Sequence, residues 1–137
     1  MKYMSGLHAL NIPCRLETSG DWHTLSLSWE NIPLWNTEKS PFGTEGIEQH
    51  QSLMGKTGVF YIANHIRACL DMLLAGDFSN LQGMCRDYIC TDIYDADIFA
   101  AVWKLHKTAH WTDIDRFMEK EYRMKWVLFR EEQEANE

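Results

Sequence analysis

Apolar and polar residues alternate from His23 to Trp29, with His23, Leu25, Leu27 and Trp29 on one side and Thr24, Ser26 and Ser28 on the other. Period two is the mark of a strand with one face against a core and one near water. The pattern predicts a strand over Trp22–Trp29. Upstream, Leu7–Leu16 reads as a second strand, with Pro13 at an edge or bulge because it cannot donate to a ladder. Glu17-Thr-Ser-Gly-Asp21 supplies turn residues between them, so a hairpin over 7–29 is expected.

Residues 30–58 hold no sustained period. Pro33, Pro41, Gly43, Gly46, Gly55 and Gly58 interrupt them every few positions, leaving room for short strands or turns near Ile32–Trp35. So long an irregular stretch is uncommon in a compact domain, and reads as hidden structure or a functional loop.

After Val59 the spacing becomes helical. Ile62, Ile66, Cys69, Leu70, Leu73 and Leu74 fall on one stripe, and Gly76 supplies the stop. Asp77 is placed to cap a short helix through Met84, and Asp95 to open another with Ile98, Phe99, Val102 and Leu105 inward. A last helix is expected from about Asp113 into the C-terminal tail. Its stripe is Ile114, Met118, Tyr122, Trp126 and Phe129, and Thr112 with Asp115 resembles a capping pair. Glu119–Arg123 and Glu121–Lys125 add acid-first (i, i+4) pairs. These elements predict an α+β fold: a small N-terminal antiparallel hairpin or sheet, roughly 7–35, packed against three or four C-terminal helices.

The chain has 137 residues, which suits one globular domain over 1–130 followed by an acidic tail, 131–137. That tail carries four of the seven excess negative charges, so the body is only mildly acidic. This balance argues against nucleic acid or an anionic membrane as a broad partner, since either calls for a basic surface. The N-terminus lacks the apolar core of a signal peptide, and Asn64, His65, Arg67 and Asp71 interrupt the most apolar stretch, Val59–Ala75. A cytoplasmic protein is the expectation, with Cys14, Cys69, Cys85 and Cys90 as thiols or ligands rather than disulfides.

Several constellations carry possible chemistry. Cys85, Cys90, His106 and His110 form C-x4-C-x15-H-x3-H, a loose match to a two-Cys, two-His zinc site. The bland reading is two half-buried thiols and a histidine pair near a helix end. Asp21 and His23 suggest a base with its orienter, but an extended strand holds their Cβ atoms roughly 6.5–7 Å apart. Gly55-Lys-Thr57 is no phosphate loop, because His50 stands where the motif needs its first glycine, and it reads as a turn before the helix. Asn64, His65 and Arg67 interrupt the polar side of the first long helix, where His65 is a cleft residue or, more commonly at such a place, ordinary surface or a satisfied core-edge group. Arg116, Lys120, Arg123 and Arg130 form a basic stripe on the last helix, set beside Glu119 and Glu121 as a solvated face would be. Six tryptophans build a dense core, or one of them, Trp35, anchors a partner.

No serine, zinc-protease or dinucleotide motif is present. The leading expectation is therefore a non-enzymatic binding or regulatory protein, inhibitor- or antitoxin-like, without a cofactor. It would meet a protein partner through residues 30–58 or the final helix, with Trp35, His23 and His65 as binding residues. The alternatives are a zinc-binding protein, or a small hydrolase-type enzyme with a cleft lined by His23, His50 and His65.

Overall fold

The computed structural model describes residues 1–137. Four strands, β1 (Lys2–Met4), β2 (Leu34–Asn36), β3 (Ile47–Leu53) and β4 (Lys56–Ala63), form one sheet in the order β2-β1-β4-β3. β1 runs antiparallel to β2 but parallel to β4, and β3 is antiparallel to β4. The fold is α+β as expected, with a mixed rather than purely antiparallel sheet. β3 and β4 join through Met54-Gly55, both at positive φ (49° and 82°), the two-residue turn that suits hairpin twist.

Register sorts the side chains. Met4 lies opposite Leu34 on one side and Ile62 on the other, while Phe60 lies opposite His50. Residues directly opposite share a face, so Met4, Leu34, Ile62 and Phe60 line one side of the sheet and Tyr3 and Trp35 the other. Helices pack on the Tyr3 side. They are α1 (Gly6–Leu10), α2 (His65–Ala75), α3 (Phe78–Leu81), α4 (Asp95–Trp103), α5 (Trp111–Tyr122) and α6 (Met124–Ala135), with a π-helical turn at Met84–Ile89.

α2 is the centre of this layer. Asn64 caps it by accepting from the Arg67 N–H at 2.8 Å, and Gly76 ends it in the left-handed conformation. Ala68, Cys69, Met72 and Leu73 are buried in the core. Arg67 and Asp71, one turn apart, are buried too, and form an ion pair at 3.0 Å. Asp71 Oδ2 also accepts from the Tyr3 and Ser5 hydroxyls, both at 2.7 Å. Arg67 donates onward to Tyr3, Ser40 and the Glu45 carbonyl. One polar network therefore ties β1, α2 and the 40–45 loop together.

The predicted hairpin over 7–29 does not form. Residues 6–10 are helical, residues 24–26 make a single 3-10 turn, and neither Trp22–Trp29 nor Leu7–Leu16 enters the sheet. Local bonds replace a ladder there: the Ser26 hydroxyl donates to the His23 carbonyl at 2.7 Å, and Trp29 Nε1 donates to the Thr24 carbonyl at 2.9 Å. Such side-chain bonds to nearby backbone compete with a ladder. Residues 30–58 contain β2 and all of β3, and Gly55 turns strand into strand rather than into a helix. Val59–Ala63 belong to β4, and the helix starts only at His65. Asp77 stands before α3, which stops at Leu81, and its carboxylate holds the Asn80 amide rather than a backbone N–H. The last helix is two helices. They are broken at Arg123 (φ 56°, ψ −134°), and Asp115 accepts from Trp126 Nε1 and Arg130 across the fold-back. The Asp115 carboxylate serves that closure rather than a capping pair with Thr112. No helix is long and apolar enough to cross a membrane.

Candidate functional site

The sheet face opposite α2 is only partly covered. The 12–32 segment lies over one end of it: the Arg15 N–H donates to Glu48 on β3 at 2.9 Å, and His8 packs edge-on against Trp29 with centroids 5.0 Å apart. Beside that cover the face opens into a cavity of about 610 Å3. Its floor is Met4, Phe60 and Ile62, one wall is Trp29 and Ile32, and the other is the β3–β4 hairpin with Leu53 and Met54. Eleven of its fourteen lining residues are hydrophobic, and the charged ones are Lys2, Glu30 and Lys56.

Several apolar side chains here stand in solvent. Leu34 is 61% exposed and Met54 51%; Val59, 56% exposed, alternates with Phe60 onto the other side of β4 and borders the cavity at its open edge. β1 pairs with β4 only at Met4–Ile62, so the first half of β4 has a partner strand on its β3 side alone. The site combines an apolar face that the 12–32 segment only partly covers with an open stretch of strand edge, features that natural sheets ordinarily screen.

The expected binding residues are dispersed. Trp35 sits on the opposite face of the sheet from the cavity floor, its ring 3.7 Å from where a Cβ on Gly6 would stand. His23 is exposed and bonds Asp21 through Nδ1. That contact, out of reach along an extended strand, exists because residues 21–23 do not form one. Asp21 also accepts from Asn11, and the bond to His23 holds its carboxyl below the usual range against the opposing effect of burial. His65 is neither surface nor free: it is buried, with Nε2 on the Ile12 carbonyl at 2.8 Å and Nδ1 at Thr18 Oγ1 at 2.7 Å. His50 lies apart from both, paired with Glu48 on β3 at 3.1 Å. His23 and His65 do line two neighbouring clefts that share Ser19, Asp21 and Trp22.

The four sequence-predicted metal ligands also occupy separate settings. Cys85 belongs to the π-helical turn and Cys90 follows it, both bordering a shallow cleft with Asp92, Asp95 and Lys125. His106 stacks on Trp103 at 4.1 Å, with its nitrogens engaged by the Trp103 carbonyl and Glu137. His110 precedes α5. No three histidine, cysteine or acidic side chains anywhere in the chain form a group that could hold a metal ion. Of the basic stripe, Arg130 is tied to Asp115, Glu119 and Glu134, and Arg116 lies near Asp113.

Sequence reasoning pointed to the 30–58 stretch but singled out Trp35 within it rather than the residues that line the cavity. Leu34, Met54 and Val59 lie in or beside the stretch without a readable period. The one available signal was their number, since apolar side chains recur there between turn residues and have no helix to serve. Compared with known protein families, curated proteins and solved structures, the chain matches none.

Proposed function

We propose that the protein is a non-enzymatic binding module that takes an apolar, acid-bearing segment of a protein partner onto the part-covered face of its sheet and the open edge of β4 beside it. The observation that carries this reading is the 610 Å3 apolar cavity continuous with the exposed Leu34, Val59 and Met54 side chains. A small ligand would be enclosed by its walls, whereas these side chains project beyond them and gain burial only under a second surface. Burying a Leu, Val or Met fully is worth about 1.5–3 kcal/mol each, so these three half-exposed side chains contribute part of the affinity and the cavity and open strand edge must supply the rest after association costs.

Charge narrows the partner. The chain carries a net charge of −7, yet two of the three charged residues at the cavity are Lys2 and Lys56. An apolar segment flanked by Asp or Glu complements that local reversal, and such rim charges set association rate and specificity more than affinity.

The test is a peptide-display selection against the wild-type chain, with counter-selection on a Leu34→Asp/Val59→Asp variant. Both positions are solvent-facing, so the fold survives the change. Selected peptides rich in apolar and acidic residues that bind the variant at least about tenfold more weakly by calorimetry support the reading, that factor being 1.4 kcal/mol. Selected peptides that bind both proteins equally, or no selection at all, overturn it.

A further inference from the structure

A second site lies away from the apolar face, between the 12–24 segment and the start of α2, and goes beyond the binding reading. Cys14 Sγ is 3.5 Å from Thr18 Oγ1, and Thr18 Oγ1 is 2.7 Å from His65 Nδ1. The other ring nitrogen, Nε2, is 2.8 Å from the Ile12 carbonyl oxygen. A carbonyl oxygen only accepts, so Nε2 carries hydrogen and Nδ1 is left as the nitrogen that takes a proton. Cys14, Thr18 and His65 are therefore arranged as thiol, relay and base. The Thr18 hydroxyl passes its hydrogen to Nδ1 as it receives one from sulfur, leaving a thiolate and an imidazolium.

The surroundings are built for this arrangement. Gly20 approaches so closely that a Cβ there would lie 2.7 Å from His65 Cε1, and its φ of 72° suits glycine. The half-buried sulfur opens on a cavity of about 500 Å3 bordered by Asn11, Ser19, Asp21 and Trp22. Burial alone would raise the thiol; His65, Thr18 and the backbone N–H groups of His65 and Leu16 outweigh it and bring Cys14 down to about 7. His65 moves the other way: burial pulls it down, and Cys14, the Ile12 carbonyl and Glu48 on β3 raise it. Other charged groups of these elements are Arg15 and Glu17 on the Cys14 segment, Asp21 with His23 on the cavity side, and Glu48 with His50 on β3.

We propose that Cys14 is a peroxide-reactive thiol activated by His65 through Thr18. The class of oxidant follows from the cavity. Asp21 disfavours an anion, and the donors converge on the sulfur rather than on a place where an acyl oxygen would sit. The thiolate attacks the terminal oxygen of a neutral hydroperoxide and the O–O bond breaks. The departing alkoxide takes the imidazolium proton through Thr18, giving Cys14 sulfenic acid and an alcohol. Two equivalents of an external thiol then restore Cys14, releasing a disulfide and water.

Exposed Cys90 is an internal reference thiol. The whole chain is treated at pH 7 with cumene hydroperoxide and dimedone, and adducts are mapped by mass spectrometry. Cys14 is expected to be trapped at least about tenfold faster than Cys90. Alkylation of Cys14 by neutral iodoacetamide is expected to be half-maximal near pH 7. In Thr18→Val, which spares the buried imidazole, that midpoint moves up toward about 8.5. His65→Gln moves it likewise, and the half-exposed Thr18 site keeps the test valid if that variant fails to fold. Equal trapping of Cys14 and Cys90, or a wild-type midpoint above 8, overturns the proposal.

Discussion

Arg123 and Gly20 show how single backbone positions decide the local chain path. Arg123 takes φ 56° and ψ −134°, a region that favours glycine, in order to turn α5 back into α6. Replacing it with glycine removes that strain, so Arg123→Gly is expected to stabilise the fold by about 1–2 kcal/mol, read by urea unfolding. Gly20 makes the opposite case. Its φ is 72°, and an added Cβ would meet the Leu10 carbonyl oxygen inside contact distance. Gly20→Ala is expected to cost about 2–3 kcal/mol, and, by displacing His65, to raise the pH at which Cys14 alkylates. Equal stability of wild type and Gly20→Ala would show that the 12–24 segment relaxes freely. Neither residue announces its geometry in the sequence. A glycine beside Asp21 reads as an ordinary turn, and an arginine within an apolar stripe reads as helix surface.

Among the elements, the Arg67–Asp71 pair joins more of the molecule than any other polar contact. Removing one partner leaves a buried charge uncompensated, which costs about 3–5 kcal/mol, so Arg67→Ala and Asp71→Ala are each expected to lose that much. The Arg67→Ala/Asp71→Ala double variant should lose distinctly less than the sum of the singles, measured by the same denaturant titration. Additive losses would mean that the two side chains act separately. The sequence showed α2 through its apolar stripe and its Gly76 stop, and showed α4 through Asp95, because these helices are amphipathic and bury one face. It hid β3, Ile-Glu-Gln-His-Gln-Ser-Leu, because an edge strand with polar side chains has no alternation to read. It suggested a strand at 22–29 because alternation needs a pairing partner that sequence alone does not supply. The cavity was legible only in part: residues 30–58 were expected to hold a functional surface, but its floor exists only after β1, β2 and β4 have come together from residues 2–63.

Across the whole molecule, the pH response follows from three tyrosines in different layers. Burial raises Tyr3, with the Asp71 carboxylate adding and Arg67 partly opposing. Burial raises Tyr122 as well, and pushes Tyr88 up to about 12 with help from Asp21. Each hydroxyl therefore keeps its proton in the folded chain to higher pH than in the unfolded chain, which ionises near 10. A raised folded value means that the stabilisation is complete below pH 10 and is lost as the pH climbs through the folded values. Thermal unfolding followed by circular dichroism is accordingly expected to hold steady near neutrality and to fall steeply from pH 10 upward. Tyr122 separates this mechanism from general alkaline damage. Its buried hydroxyl finds no well-formed hydrogen bond, only the Cys85 sulfur beside it. Tyr122→Phe removes an ionisable group without breaking a good contact, so it should be neutral or stabilising by up to about 1 kcal/mol at pH 7. The same change should flatten the alkaline fall. An unaltered fall in that variant would assign the high-pH unfolding to Tyr3 and Tyr88, of which Tyr3 ionises beside the buried Asp71 carboxylate.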